Sequence, residues 1–209
     1  MIFYDYWRSS ASYRLRIALG LLKLPYENVA VDLLLGEQTG AANLARNPQG
    51  LVPTLQIDGL TLTQSLAILE YLDETRKAGF LPKDPAGRAR VRALAYAIAM
   101  EIAPICNLSV RKHAAAISGG AITADDWQVH FMAKGLAAFE RLLDDPATGQ
   151  FCHGDHITMA DICLLPQVYN ARRAGLDLAA HGQICRIVAA LEAIPEIAAA
   201  YPDKHNPAG

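Results

Sequence analysis

Leu51-Val52-Pro53-Thr54-Leu55-Gln56-Ile57-Asp58-Gly59-Leu60-Thr61-Leu62 decides the architecture of the first third of the chain. Two apolar, β-prone runs flank Asp58-Gly59, a pair that tolerates the positive φ values of a two-residue hairpin turn. Pro53 stands at the start of the first run, where a residue without an N–H costs no ladder hydrogen bond. Ahead of the hairpin, Ile2-Phe3-Tyr4 reads as a strand, and Leu15, Leu19 and Leu22 then recur at helical spacing. Residues 25–31 read as a second strand with one solvated face, and a glycine-punctuated stretch leads into a short helix around 41–46. Behind the hairpin, Gln64-Ser65 opens an amphipathic helix carrying Leu66, Leu69, Tyr71 and Leu72. Strand, helix, strand, helix, hairpin and helix in that order describe an α/β unit with a mixed sheet.

Beyond it the pattern changes. Residues 78–87 gather two prolines and two glycines and read as a linker, after which no strand pattern occurs. Residues 88–113 read as one long helix kinked at Pro104, and Thr123-Ala124-Asp125-Asp126 starts another helix that runs to about Leu143. Ile157-Thr158-Met159-Ala160-Asp161-Ile162 has capping-box spacing, which makes Asp161 a structural carboxylate rather than a catalytic acid. A last helix covers 184–191, and Pro195 starts a final turn. The chain therefore divides into an α/β part, 1–77, the linker, 78–87, and an all-helical part, 88–209.

Composition narrows the function classes. The 209 residues are 52% hydrophobic but only 7% aromatic, because alanine and leucine carry the apolar content, and this favours helix. A formal net charge of −2 gives no broad electrostatic case for nucleic acid or an anionic membrane, so any anion site is local. No apolar run has the length of a membrane span and no signal-peptide core follows Met1, so a cytoplasmic location is the default. Cys106, Cys152, Cys163 and Cys185 are dispersed and suggest neither a disulfide framework nor a zinc site. His153-Gly154-Asp155-His156 reads as loop, not metal site, having no third ligand nearby.

The local anion site is legible in Tyr6-Trp7-Arg8-Ser9-Ser10-Ala11-Ser12-Tyr13-Arg14-Leu15-Arg16-Ile17-Ala18-Leu19. Ser9 and Ser10 fall where strand gives way to helix, where free N–H groups and the helix dipole favour a negative group. Arg8 adds a bidentate fork. The same residues also suit an ordinary helix cap beside a solvated arginine. If Pro53 is cis, Val52 offers its backbone N–H and C=O toward the Ser9 corner, as a peptide-like ligand needs; trans is the commoner form.

The order of elements and four motifs resemble the zeta class of the glutathione transferases. Arg8-Ser9-Ser10-Ala11-Ser12-Tyr13-Arg14-Leu15-Arg16-Ile17-Ala18-Leu19 is similar to the class signature S-S-C-x-[WY]-R-x-R-I-A-L. Asn47-Pro48-Gln49-Gly50-Leu51-Val52-Pro53-Thr54-Leu55, Gln64-Ser65-Leu66-Ala67-Ile68 and Asn107-Leu108-Ser109-Val110 are similar to further motifs of the class. The resemblance implies a glutathione transferase fold, with a thioredoxin-like N-terminal domain and an all-helical C-terminal domain, together with glutathione as cofactor and a homodimer. It also implies cis–trans isomerisation of maleylacetoacetate or maleylpyruvate in aromatic catabolism. General conjugation or dehalogenation of small acids, or a non-catalytic binding module, are the alternatives.

Isomerising a cis alkene needs a transient single bond, which reversible thiolate addition supplies. The site must hold a thiolate, bind two substrate carboxylates and stabilise charge at an enolate oxygen, with no metal. The resemblance assigns the thiolate to Ser9, with Ser10 second, and a substrate carboxylate to Arg8. It places Arg173 and the Asn107 motif at the substrate, Gln64 and Ser65 at the γ-glutamyl end of glutathione, Val52 beside Pro53 at the cysteinyl backbone, and Gln49 at the glycyl end; Arg111, one turn beyond Asn107, can share its face toward the substrate. Arg111, a charge where many zeta chains hold none, tilts the substrate toward maleylpyruvate. Arg14, Arg16, Arg88, Arg90 and Arg92 read as helix-surface charges, and Arg172 as solvated. Ala11 replaces the signature's cysteine. This is compatible with isomerase chemistry because the nucleophile is glutathione's own thiolate.

Overall fold

The computed structural model describes residues 1–207. Four strands, β1 (Ile2–Asp5), β2 (Glu27–Ala30), β3 (Thr54–Ile57) and β4 (Leu60–Thr63), form one sheet in the order β2-β1-β3-β4. β1 runs parallel to β2 and antiparallel to β3, in a register that sets Tyr4 opposite Thr54. The turn between β3 and β4 has positive φ at Asp58 and Gly59, as the dipeptide requires. Its carboxylate accepts from the Tyr71 hydroxyl and from Arg76, which lowers the Asp58 pKa.

Three helices complete this part: α1 (Ser10–Leu21), α2 (Ala41–Leu44) and α3 (Ser65–Arg76). α1 is buried continuously from Ser12 to Leu19, so it is a core helix and not an amphipathic one. Burial takes in Arg14 and Arg16, and corrects their reading as surface charges. Arg16 is satisfied on every side: Nη1 pairs with Asp5 Oδ2 at 2.6 Å, Nη2 donates to Trp7 O at 2.7 Å, and Nε donates to Ala200 O at 3.2 Å. That last bond belongs to a C-terminal segment in which α9 (Pro195–Ala199) docks on α1. The chain forms one compact unit of Met1–Phe80 together with the residues from Ala193 onward, and a second of Leu81–Glu192. The C-terminal segment thus joins the α/β unit, although its position in the sequence groups it with the helical half.

The second unit is helical: α4 (Pro85–Tyr96), α5 (Leu108–Ile117), α6 (Ala124–Leu142), α7 (Met159–Arg173) and α8 (Gly182–Glu192). The long kinked helix of 88–113 is two helices. α4 runs on through a π-helical segment, Ala97–Ile102, and stops before Pro104, which can neither donate nor clear the preceding turn; Asn107 then caps a fresh start. α6 opens on the reciprocal Thr123–Asp126 box. α7 is buried along nearly its whole length and packs on α4, α6 and α8. Arg90 is tied into this unit, donating to Cys152 O at 2.7 Å and Thr148 Oγ1 at 2.7 Å, so it too is no surface charge. His153 lies against Arg90, 3.2 Å away, and Asp155 accepts from Gln150 N–H.

Asp161 is structural, as its spacing indicates. Oδ2 accepts from Thr158 N–H and hydroxyl, and Oδ1 accepts from Cys152 N–H at 2.8 Å. Burial pushes its pKa up further than these bonds pull it down. Asp161 therefore holds its proton to higher pH folded than unfolded, and this group's contribution to stability is lost as pH rises from the ordinary aspartate value of 3.8 through the raised one. Asp161→Ala is expected to cost about 1–3 kcal/mol, the range for leaving a buried donor unsatisfied. Asp161→Asn should remove the slope from the pH dependence of urea unfolding, and an unchanged slope would assign it to another group.

Candidate active site

The chain leaves β1 at Asp5 and turns into α1 across four residues, and that corner is held from below. Arg16 grips both Asp5 and Trp7 O, Ser9 N–H donates to Tyr6 O at 2.9 Å, and Tyr6 packs with Val31 and Val52. Ser9 is the N-cap of α1, with φ −67° and ψ 123°, and its Oγ accepts Ser12 N–H at 3.3 Å. Capping therefore falls to Ser9. It takes only a lone pair and leaves the hydroxyl proton to donate. Ser10 is the first residue of α1, and no acidic side chain in that first turn opposes an anion. Arg8 is exposed, its guanidinium 4.2 Å from the Trp7 ring centroid.

The other expected ligand residues of this unit are gathered by two loops. Asn47 is buried and folds the first: Nδ2 donates to Leu51 O at 3.0 Å, and Oδ1 accepts Gln49 N–H at 3.1 Å. The Val52–Pro53 bond beyond it is cis. Val52 N–H and C=O make no hydrogen bond among the described residues. In the second loop, Gln64 caps α3 at φ 66° and ψ 108°, a conformation rare for any residue but glycine. Gln64 Nε2 donates to Gln49 Oε1 at 2.8 Å, so the structure brings these two expected residues together. Ser65 begins α3 and receives a hydrogen bond from Arg14 Nη1 at 3.1 Å. Arg14 is 3% exposed, and its Nε and Nη2 find no partner among the described residues. A helix start, the unpaired backbone N–H and C=O of Val52 and a buried cation without an ion-pair partner among the described residues together fit an anionic peptide.

In the second unit, Asn107 caps α5 and is occupied locally: Oδ1 accepts both Ser109 N–H and its hydroxyl at 3.2 Å. Arg111 pairs with Asp125 at 2.9 Å, an ion pair at the surface in which the Asp125 side chain is 81% exposed. At the end of α7 the two arginines differ. Arg172 pairs with Glu192 at 2.6 Å and is not simply solvated, whereas Arg173 is exposed and has no ion-pair partner among the described residues.

Residues 1–74 match the glutathione S-transferase N-terminal domain family and residues 116–203 the C-terminal domain family. A solved bacterial zeta-class maleyl pyruvate isomerase superposes with a TM-score of 0.94 at 39% identity, each chain covered to 99%. The chain belongs to the zeta class of the glutathione transferases. The maleylacetoacetate isomerase of Rhizobium meliloti is 56% identical to it over 99% of this chain and 98% of its own. The maleylacetoacetate isomerase of Anaeromyxobacter dehalogenans, solved with glutathione in its active site, gives a TM-score of 0.88 at 44% identity, over 100% of this chain and 97% of its own.

Ala11, which stands where the signature quoted above has cysteine, lies in the first turn of α1. Cys106 and Cys152 are poor thiolates. Burial pushes the Cys106 pKa up to about 11, and the wholly buried Cys152 goes higher than its ordinary value by the same cause. Both stay protonated at neutral pH.

Proposed function

We propose that this chain is a glutathione-dependent isomerase that turns the cis double bond of a maleyl-substituted keto acid into the trans fumaryl form, with maleylacetoacetate as the preferred substrate. The observation that carries the reading is the α1 corner: a serine hydroxyl with its acceptor side used by Ser12 N–H and its proton available, at a helix start free of acidic residues. The relatives named for this reaction support it, and the 56% identity to a maleylacetoacetate isomerase, against 39% to the maleyl pyruvate isomerase, favours the longer substrate.

Glutathione, when bound, supplies the thiolate that adds reversibly to the alkene, freeing it to rotate. The residues of the chain supply everything around that step. Ser9 donates its hydroxyl proton to the sulfur and keeps it anionic, with Ser10 beside it at the dipole's positive end. Val52 pairs its backbone with the cysteinyl peptide, and Gln64 and Ser65 take the γ-glutamyl end; Gln49, hydrogen-bonded to Gln64 at 2.8 Å, lies beside that end and not at the glycyl one. Arg8 is the carboxylate-binding arginine of the first unit and Arg173 that of the second; Asn107 and Arg111 have secondary roles, being engaged already. The family implies a homodimer, which sedimentation would show as a mass about twice 22.6 kDa.

Purified protein with glutathione and maleylacetoacetate should yield fumarylacetoacetate, and do so with a higher kcat/KM than for maleylpyruvate. No glutathione-dependent conversion of either compound would overturn the reading. Arg173→Ala should lower kcat/KM by about 10- to 150-fold, the equivalent of a hydrogen bond to a charged group. Unchanged kinetics would remove Arg173 from the site.

A further inference from the structure

Arg14 and Arg16 lie half a turn apart on α1, both buried, and are treated oppositely by the fold. Arg16 has a carboxylate and two carbonyls. Arg14 has one neutral hydroxyl, that of Ser65, while Nε and Nη2 are unpaired and no carboxylate lies within ion-pair distance among the described residues. Leaving a buried cation and two of its donors uncompensated is costly, and the natural compensation is an anion. The one contact Arg14 does make points to where that anion belongs.

We propose that Arg14 is a positioning residue that makes the start of α3 selective for the α-carboxylate of glutathione's γ-glutamyl group, acting through Ser65. Arg14 Nη1 occupies a lone pair of Ser65 Oγ, so the hydroxyl cannot turn its proton toward the guanidinium and must donate it elsewhere. Ser65 thereby becomes an obligate donor. It sits at the first position of a 12-residue helix whose N-cap, Gln64, gives no side-chain cap bond and whose first turn has no acidic residue. Helix N–H groups, a fixed donor and a buried positive charge then act in one direction, toward a carboxylate and against a neutral or cationic group. Arg14 also follows Ser10 by four residues on α1, which puts the thiolate corner and the carboxylate corner on one face of a single rigid helix.

The inference rests on the reading that glutathione lies with its γ-glutamyl end at Ser65, and the test separates the two. Dissociation constants are measured calorimetrically for glutathione and for 4-aminobutanoyl-cysteinylglycine, which keeps the amine and lacks only the α-carboxylate, against wild type, Arg14→Gln and Arg14→Lys. Wild type should prefer glutathione by about 10- to 150-fold, Arg14→Gln should shrink that preference to about threefold or less, and Arg14→Lys should restore part of it. A wild type that binds neither peptide, or both alike, overturns the placement of glutathione. An Arg14→Gln protein with the full preference overturns the role of Arg14 and leaves the placement standing. A merely structural arginine would weaken both peptides equally, which also overturns it. Should Arg14→Gln fail to fold by circular dichroism, Ser65→Ala carries the same comparison, and a preference unchanged by it is the overturning result.

Discussion

Arg16→Met is expected to lower the unfolding free energy by about 3–5 kcal/mol, the range for breaking a buried ion pair from one side. The arginine is buried and spans three separate parts of its unit: Asp5 at the end of β1, Trp7 in the corner, and Ala200 after α9. Without it the Asp5 carboxylate, whose Oδ1 is already unpartnered, is left as an uncompensated buried charge, and two carbonyls lose their donor. Asp5→Leu combined with Arg16→Met should recover much of the loss, because an apolar pair leaves no charge behind. Urea unfolding monitored by circular dichroism checks both. A loss below about 1 kcal/mol for the single variant would show that the corner stands without this strut.

Ser9→Ala should reduce kcat/KM by about 100- to 1,000-fold, the usual cost of removing one donor aimed at a developing or held anion. The same change removes the α1 cap, which is worth about 1 kcal/mol of stability, so activity alone does not isolate the chemistry. The separating measurement is the pKa of glutathione's thiol in the complex, monitored by thiolate absorbance. It should rise in Ser9→Ala and move little in Ser10→Ala. A thiol pKa that shifts only with Ser10→Ala would transfer the role to Ser10.

Much of the fold and of the site is legible in the sequence for local reasons. The Asp58-Gly59 turn, the Thr123 and Thr158 capping boxes and the Ser9 corner each depend on residues within a few positions of one another, so spacing alone exposes them. Pro104 is legible as a disturbance, but whether a helix bends or ends there depends on the residues C-terminal to it, and Asn107 supplies a new cap. The charges of α1 resist a sequence reading because an arginine looks alike in water and in a core. Only the partners, 184 residues away in the case of Ala200, distinguish them.

By itself, then, the sequence determined the α/β unit with helices after it, the helix start capped at Ser9 and the zeta-class signature around it, since all are written in neighbouring residues and periodicity. Tertiary structure alone decided that the C-terminal segment docks on α1, that Arg16 is a strut, that Arg111 is already paired with Asp125, and that Arg14 faces Ser65 with donors to spare. Each of those depends on a charge meeting, or failing to meet, a group far away in the chain, and a buried charge is defined by its surroundings rather than by its neighbours in sequence.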